Sequence, residues 1–204
     1  MPAGPAPYVG ERLREERTRR GVSVRALARD LGVSASLISQ IETGKSQPSV
    51  STLYAITTAL RISVEDVFGP SRTTDDGVAL ATLGALGPQR GQRVGPVVTP
   101  GQRPVLQLDS GVTWERLGQL QHPHVDFLLI TYEPGGTSSS NGGLMRHGGC
   151  EYGHLISGSL VLTLGFEDHV LSAGDSVSFE SSTPHRYRNE GPEPAVGVWF
   201  VTSA

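Results

Sequence analysis

The chain has 204 residues, room for one large or two modest domains, and its formal charge of −3 excludes a generally basic nucleic-acid coat. A single cysteine, Cys150, excludes an intrachain disulfide framework and fits a reducing, cytoplasmic setting. No apolar run approaches the ~18 residues of a membrane span, and the opening Met-Pro-Ala-Gly-Pro-Ala-Pro has neither the positive region nor the apolar core of a signal peptide. That opening reads as a disordered tail. Charge is unevenly shared: residues 8–69 hold nine Lys and Arg against seven acids, net +2, and the rest hold eight against thirteen, net −5. A basic head on an acidic body suits a protein whose head alone touches DNA. The Arg12 to Arg20 run also reads, at least in part, as a solvated helix face.

A first helix is expected from Val9 to Arg20, with Val9 and Leu13 inward and Gly21 ending it. Ser23 caps a second through Leu31, burying Leu27, Ala28 and Leu31. Gly32-Val33 is a tight turn into Ser34, the N-cap of a third helix. Leu37, Ile38 and Ile41 share one face of that helix. Its other face shows Ala35, Ser36, Ser39, Gln40 and Thr43, which are small or carry donors and acceptors. Gly44 can take positive φ as a C-cap, and Lys45 can reach a phosphate. Such a helix fits a major groove; taken alone it also fits an ordinary surface. Ser49 caps a fourth helix through Leu60, with Leu53, Ile56 and Leu60 inward, and Ser63 caps a short fifth, Val64 to Phe68.

Helix, Gly-containing turn, helix is the layout of a helix-turn-helix. Residues 8–69 resemble the DNA-binding domain of the phage-repressor and XRE class of bacterial regulators. The resemblance is carried by Arg17, Gly21, Leu27, Ala28, Gly32 to Ser34, Ile38 to Glu42, Gly44, Lys45, Pro48, Ser49 and Leu53. It implies that Gln40 reads a base edge, that Ala35 and Ser36 approach bases, and that Arg17 pairs with Glu42 inside the domain. The DNA-contacting set expected on these grounds is Ser34, Ala35, Ser36, Ser39, Gln40, Thr43 and Lys45.

Residues 70–104 are rich in Gly and Pro and read as a linker or arm, packing on the body or on a partner subunit, with a possible short strand at 78–83. From 105 the chain is strand-like. Short β-rich runs at 105–108, 125–132, 151–156, 160–166, 169–171, 176–180, 185–189 and 195–201 are divided by turn residues, as in an antiparallel sandwich or barrel. Gly158-Ser159 reads as a hairpin turn and Ala173 to Asp175 as another turn. The fold class is α + β in separate domains, five helices and then a β-barrel over 105–204.

Two stretches of that barrel, Pro134 to Gly158 and Gly174 to Asn189, resemble the two motifs of the cupin superfamily, a jelly-roll-like double-stranded β-barrel. In metal-binding cupins the first motif offers His-x-His and a Glu, and the second one more His. Here Met145 stands at the first His position, and His147, Glu151 and His185 remain. Two histidines and a carboxylate suit a divalent metal, Fe, Zn, Ni or Mn, or else form a polar cluster with no metal. Parity adds Tyr187 and the neighbouring Arg146 as possible ligand-lining residues. His154 should face away from Glu151. Cys150 reads as an inert thiol, Met145 as packing, and Trp114 and Trp199 as core.

The resemblances together imply a cytoplasmic, homodimeric transcription regulator that binds a double-stranded DNA operator and senses a small-molecule effector in its cupin domain. No catalytic residue is assigned. The alternative is a mononuclear non-haem iron enzyme of the hydroxypropylphosphonate epoxidase type, which also joins a helical head to a cupin carrying two His and one Glu.

Overall fold

The structure, a computed structural model, describes residues 9–68, 97–118 and 125–202. The N-terminal tail and the possible strand at 78–83 lie outside the described residues. Five helices come first: α1 (Val9–Arg19), α2 (Val24–Leu31), α3 (Ala35–Glu42), α4 (Val50–Leu60) and α5 (Val64–Phe68). Their starts follow from local chemistry. Ser23, Ser34 and Ser49 each accept a hydrogen bond from an N–H of the first turn, at 3.1, 3.1 and 3.2 Å. Ser63 and Asp66 form a reciprocal capping box before α5. Leu13, Leu27, Ile38, Ile41, Leu53, Ile56 and Leu60 fill the space between the helices. Gly10 lets α1 cross α3 closely, since a Cβ there would lie 1.9 Å from the Ile41 carbonyl oxygen.

The Arg12 to Arg20 run is less solvated than its composition suggests. Arg12 is 7% exposed and donates to Glu15 and to the Asp66 carbonyl. Arg19 and Arg20 both pair with the buried Glu16. Arg17 grips Glu42 with two parallel hydrogen bonds, Nε at 2.5 Å and Nη2 at 2.9 Å, and its Nη1 donates to the Val22 carbonyl. Much of the head's positive charge is therefore spent internally.

Among the described residues nine strands follow: β1 (Val105–Leu108), β2 (Val112–Arg116), β3 (Val125–Tyr132), β4 (Cys150–Ser157), β5 (Ser159–Leu164), β6 (Glu167–Ser172), β7 (Ser176–Glu180), β8 (His185–Arg188) and β9 (Ala195–Thr202). They form an antiparallel six-stranded sheet, β1-β2-β3-β9-β4-β7, and a three-stranded sheet, β6-β5-β8. Period-2 burial along β2, β3 and β9 puts Trp114, Leu128, Ile130, Tyr132, Trp199 and Val201 between the sheets.

Two expectations change. β2 was not anticipated: Thr113 and Glu115 give its outer face a polar look, and positive φ at Ser110 and Gly111 makes the preceding stretch a tight turn rather than a loop. Gly158-Ser159 is a corner, not a hairpin. β4 and β5 belong to different sheets, and Gly158 takes φ 77° where a Cβ would lie 2.5 Å from the Pro194 carbonyl oxygen. The hairpin in this region is β5–β6, turning at Gly165-Phe166. The end of the expected arm takes one of its two expected courses and packs on its own barrel: a 3-10 turn at Pro100–Gln102 leads to an Arg103–Glu115 ion pair at 3.2 Å.

Head and barrel meet. The Ser51 N–H donates to the Ser138 carbonyl and the Asp109 N–H to the Pro48 carbonyl, both at 2.9 Å. Tyr54 of α4 packs edge-on against Trp114 of β2, with ring centroids 5.8 Å apart.

Candidate functional site

α3 is locked by one face and open on the other. Ile38 and Ile41 are each 1% exposed, while Ser36, Ser39, Gln40 and Thr43 face solvent. Ala35 is half-buried. Ser34 is exposed, with its hydroxyl holding the Leu37 N–H, so it serves the helix start as well as standing at the face's edge. Thr43 turns its hydroxyl back to the Ser39 carbonyl at 2.8 Å. Gly44 takes φ 68° beyond the helix end, and Lys45 is exposed. All seven expected DNA-contacting positions thus lie on or beside the open side of one helix.

In the barrel, His147, Glu151 and His185 converge from three stretches of chain. Glu151 lies on β4, His185 opens β8, and His147 is held on the loop before β4 by its N–H to the Ser181 carbonyl. Their side chains are 5%, 3% and 0% exposed. Glu151 Oε1 lies 2.9 Å from His147 Nε2 and 3.0 Å from His185 Nε2. Each imidazole turns its Nδ1 to a backbone carbonyl, His147 to Gly148 at 3.1 Å and His185 to Thr183 at 2.8 Å. Nδ1 is therefore the protonated nitrogen in both rings, and in a neutral ring the Nε2 presents a lone pair. Two lone pairs facing one carboxylate oxygen repel unless a proton or a cation stands between them. His185 Nε2 is buried, with Glu151 Oε1 3.0 Å away.

This donor set fits a divalent metal. Carbonyl-anchored Nδ1–H groups are the usual outer support of metal-ligating histidines. The three ligand atoms all lie within 4.8 Å of one another. Ligands at right angles on an ion bonded at about 2.1 Å stand about 3 Å apart, close to the two His–Glu spacings. Burial pushes the Glu151 carboxyl up, but His147 and His185 outweigh it and hold the group down at about 2. Burial lowers His185, and Glu151 with the Thr183 carbonyl more than restores it, leaving it raised.

The remaining candidates separate cleanly. Tyr187 is 2% exposed and donates to Glu151 Oε2 at 3.1 Å, so it orients the carboxylate. Trp199, read as core, is buried and also donates its Nε1–H to the Tyr187 hydroxyl at 3.1 Å. Its indole fills the space left by Gly153 and Gly197. Arg146 is exposed. His154 is exposed and bonds Ser176. Met145 is buried and bridges to His185 through backbone only. Cys150 is half-buried and free. An open cavity of about 430 Å³, lined by Thr137, Ser139, Arg186 and Arg188, uses the alternate face of β8 from His185 and Tyr187. One neighbour of the trio had no signal in the sequence. Tyr54 of α4 stacks flat on His147, centroids 4.1 Å apart and planes 4° from parallel.

Known proteins resemble the chain along its whole length. A helix-turn-helix domain family matches residues 9–67, and a cupin domain family matches residues 128–201. The HTH-type transcriptional regulator PuuR of Escherichia coli is 29% identical over 197 residues, covering 96% of this chain and 92% of the relative. An uncharacterized transcriptional regulator in the ATPase CF(0) region of Rhodospirillum rubrum is 36% identical over 81 residues, 38% of this chain and 75% of the relative. The crystal structure of an HTH_3 family transcriptional regulator from Vibrio cholerae shares the fold, with TM-score 0.61, 22% identity, and 97% and 96% of the two chains covered. The order of domains, the capped helix pair of the head and the relatives all agree: the chain belongs to the helix-turn-helix transcriptional regulators and carries a C-terminal cupin domain.

Proposed function

We propose that this regulator reads its operator through Ser34, Ala35, Ser36, Ser39, Gln40, Thr43 and Lys45, and does so as a cytoplasmic homodimer. The carrying observation is the two-sidedness of α3. Ile38 and Ile41 fix its roll, and the residues left outside are small or amide-bearing, the character that lets a helix enter the major groove and meet base edges. Dimerisation follows from the same physics. One short helix meets few base pairs, and repressor-type heads gain affinity by engaging two half-sites about one helical turn apart.

The barrel is the sensor. His147, Glu151 and His185 hold a divalent metal, and Tyr187 steadies the carboxylate. A bound metal supplies Lewis acidity and open coordination positions for an effector with an anionic or lone-pair donor. The same trio suits a non-haem iron enzyme. The open face of α3 and the relatives, which are transcriptional regulators, favour regulation over catalysis.

The experiment is a mobility shift on the DNA immediately upstream of the chain's own gene, with competitor DNA of unrelated sequence. Specific retention supports the reading. A protein that retains neither this DNA nor a site selected from a random pool overturns it, as does substrate turnover with Fe(II) and an oxidant that Glu151→Gln abolishes.

A further inference from the structure

The buried trio is roofed by a residue of the other domain. Tyr54 belongs to the head, in the middle of α4, yet it is 8% exposed because its ring lies on His147 and against Trp114. α4 is pinned there at its first turn by the Ser51–Ser138 and Asp109–Pro48 backbone hydrogen bonds. Beneath the ring, the side chains of His147, Glu151 and His185 expose 5%, 3% and 0% of their surface. A bare ion needs little room, but any organic molecule that reaches these three groups must move a wall.

The strand β4 and the core behind the trio are poorly suited to yield. β4 is paired on both sides, to β7 and β9. Trp199 is wedged against Gly153 and Gly197, where any added Cβ would collide with the indole. Between Tyr54 and the trio stands a ring stack, with no strand ladder. Tyr54 is a wall held by ring contacts alone.

We propose that Tyr54 is part of the sensor site: the DNA-binding head supplies the roof, and an organic ligand on the trio and a docked α4 exclude one another. The ligand suited to this exchange is small and planar. It replaces the Tyr54 ring over His147 and reaches the trio with one anionic or lone-pair donor. When α4 lifts, α3 moves with it, because Ile38 and Ile41 pack into the same head core as Leu53 and Ile56. Ligand affinity and head docking are then linked reciprocally, as two states with one coupling free energy. The anchoring of the ligand rests on the metal reading above; the roof itself does not.

Two measurements on the full chain test this. The first is carbethoxylation of His147 by diethylpyrocarbonate, followed by mass spectrometry without metal. His147 should react slowly in the parent and in Tyr54→Phe, which keeps the ring, and about tenfold faster in Tyr54→Ala. If Tyr54→Ala loses head helicity by circular dichroism, Tyr54→Leu is read in its place. A rate equal to the parent's in the ring-less variant overturns the roof. The second uses Co(II)-loaded parent protein with imidazole as the probe. Once imidazole shifts the visible Co(II) spectrum, amide exchange at Ser51 and Asp109 should accelerate about tenfold. A shifted spectrum with unchanged exchange overturns the exclusion of docking by ligand. Failure to bind Co(II) at all sinks the metal reading while the His147 rates still decide the roof.

Discussion

Among the described residues the head buries Glu16 and Glu42 and the barrel buries Glu151, and Glu42 and Glu151 are satisfied in opposite ways. Glu42, 7% exposed, meets a guanidinium fork whose every contact is a donor: Arg17 gives it Nε–H and Nη2–H in parallel. Glu151, 2% exposed, meets two imidazoles that have spent their Nδ1 protons on backbone carbonyls. The first is a complete ion pair that fixes α1 to α3. The second is a carboxylate that its two imidazole neighbours can meet only through a proton or a cation. Burial alone does not separate structure from function; the count of protons does.

The contrast breaks first at Glu42. Glu42→Ala leaves the Arg17 guanidinium, 11% exposed as a side chain, without its partner, and breaking such a buried pair costs about 3–5 kcal/mol. Denaturant melts followed by helix content should show that loss in the head. A midpoint equal to the parent's would mean the fork contributes nothing. Glu151→Gln should behave in reverse, because it removes the charge that two histidines crowd around. It should weaken Zn(II) binding by more than about a hundredfold, read by calorimetry, while the helices melt as before. Retained affinity would remove Glu151 from the ligand set.

Gln40→Ala sharpens the comparison from outside. It should cost about 1–3 kcal/mol of base discrimination, measured by competition between the operator and single-base variants, with Zn(II) affinity unchanged. Equal preference for every variant by parent and mutant would take recognition away from this helix face. The smallest effect is on pH. The Glu151 carboxyl is depressed to about 2, so its contribution is present above its ordinary value of 4.5 and is lost as pH falls through the folded one. His185 is raised, so its contribution is complete below 6.5 and is lost as pH rises through its folded value. Metal-free barrel stability should therefore peak between these limits. A melting temperature that keeps climbing above 6.5 would contradict the proton-bridged pair.

Much of this was legible in the chain. The helix starts announce themselves because a serine cap acts within three residues, and the strands do so because alternation records which face is wet. His147, Glu151 and His185 were legible through motif spacing. What escaped were features set by distant partners. β2 hid behind Thr113 and Glu115, whose polarity is that of a solvent-facing row. Gly158 carries the same glycine signal for a hairpin and for a corner between sheets. Arg12 and Glu16 read as surface charges because nothing local announces their burial. Nothing local sets Tyr54 apart in α4; its stack on His147 exists only once head and barrel meet.

The central claim is that the histidines around Glu151 await a cation, and a calorimetric Zn(II) titration of the metal-free parent, run at the same pH in buffers of different ionisation enthalpy, tests it most directly. One ion per chain should bind, with proton release that grows as pH drops below the raised His185 value, because the metal takes the place of the proton between Nε2 and Oε1. Binding of no ion, or binding that persists undiminished when Glu151 is changed to Gln, would show that the trio is a closed polar cluster like the Arg17–Glu42 pair.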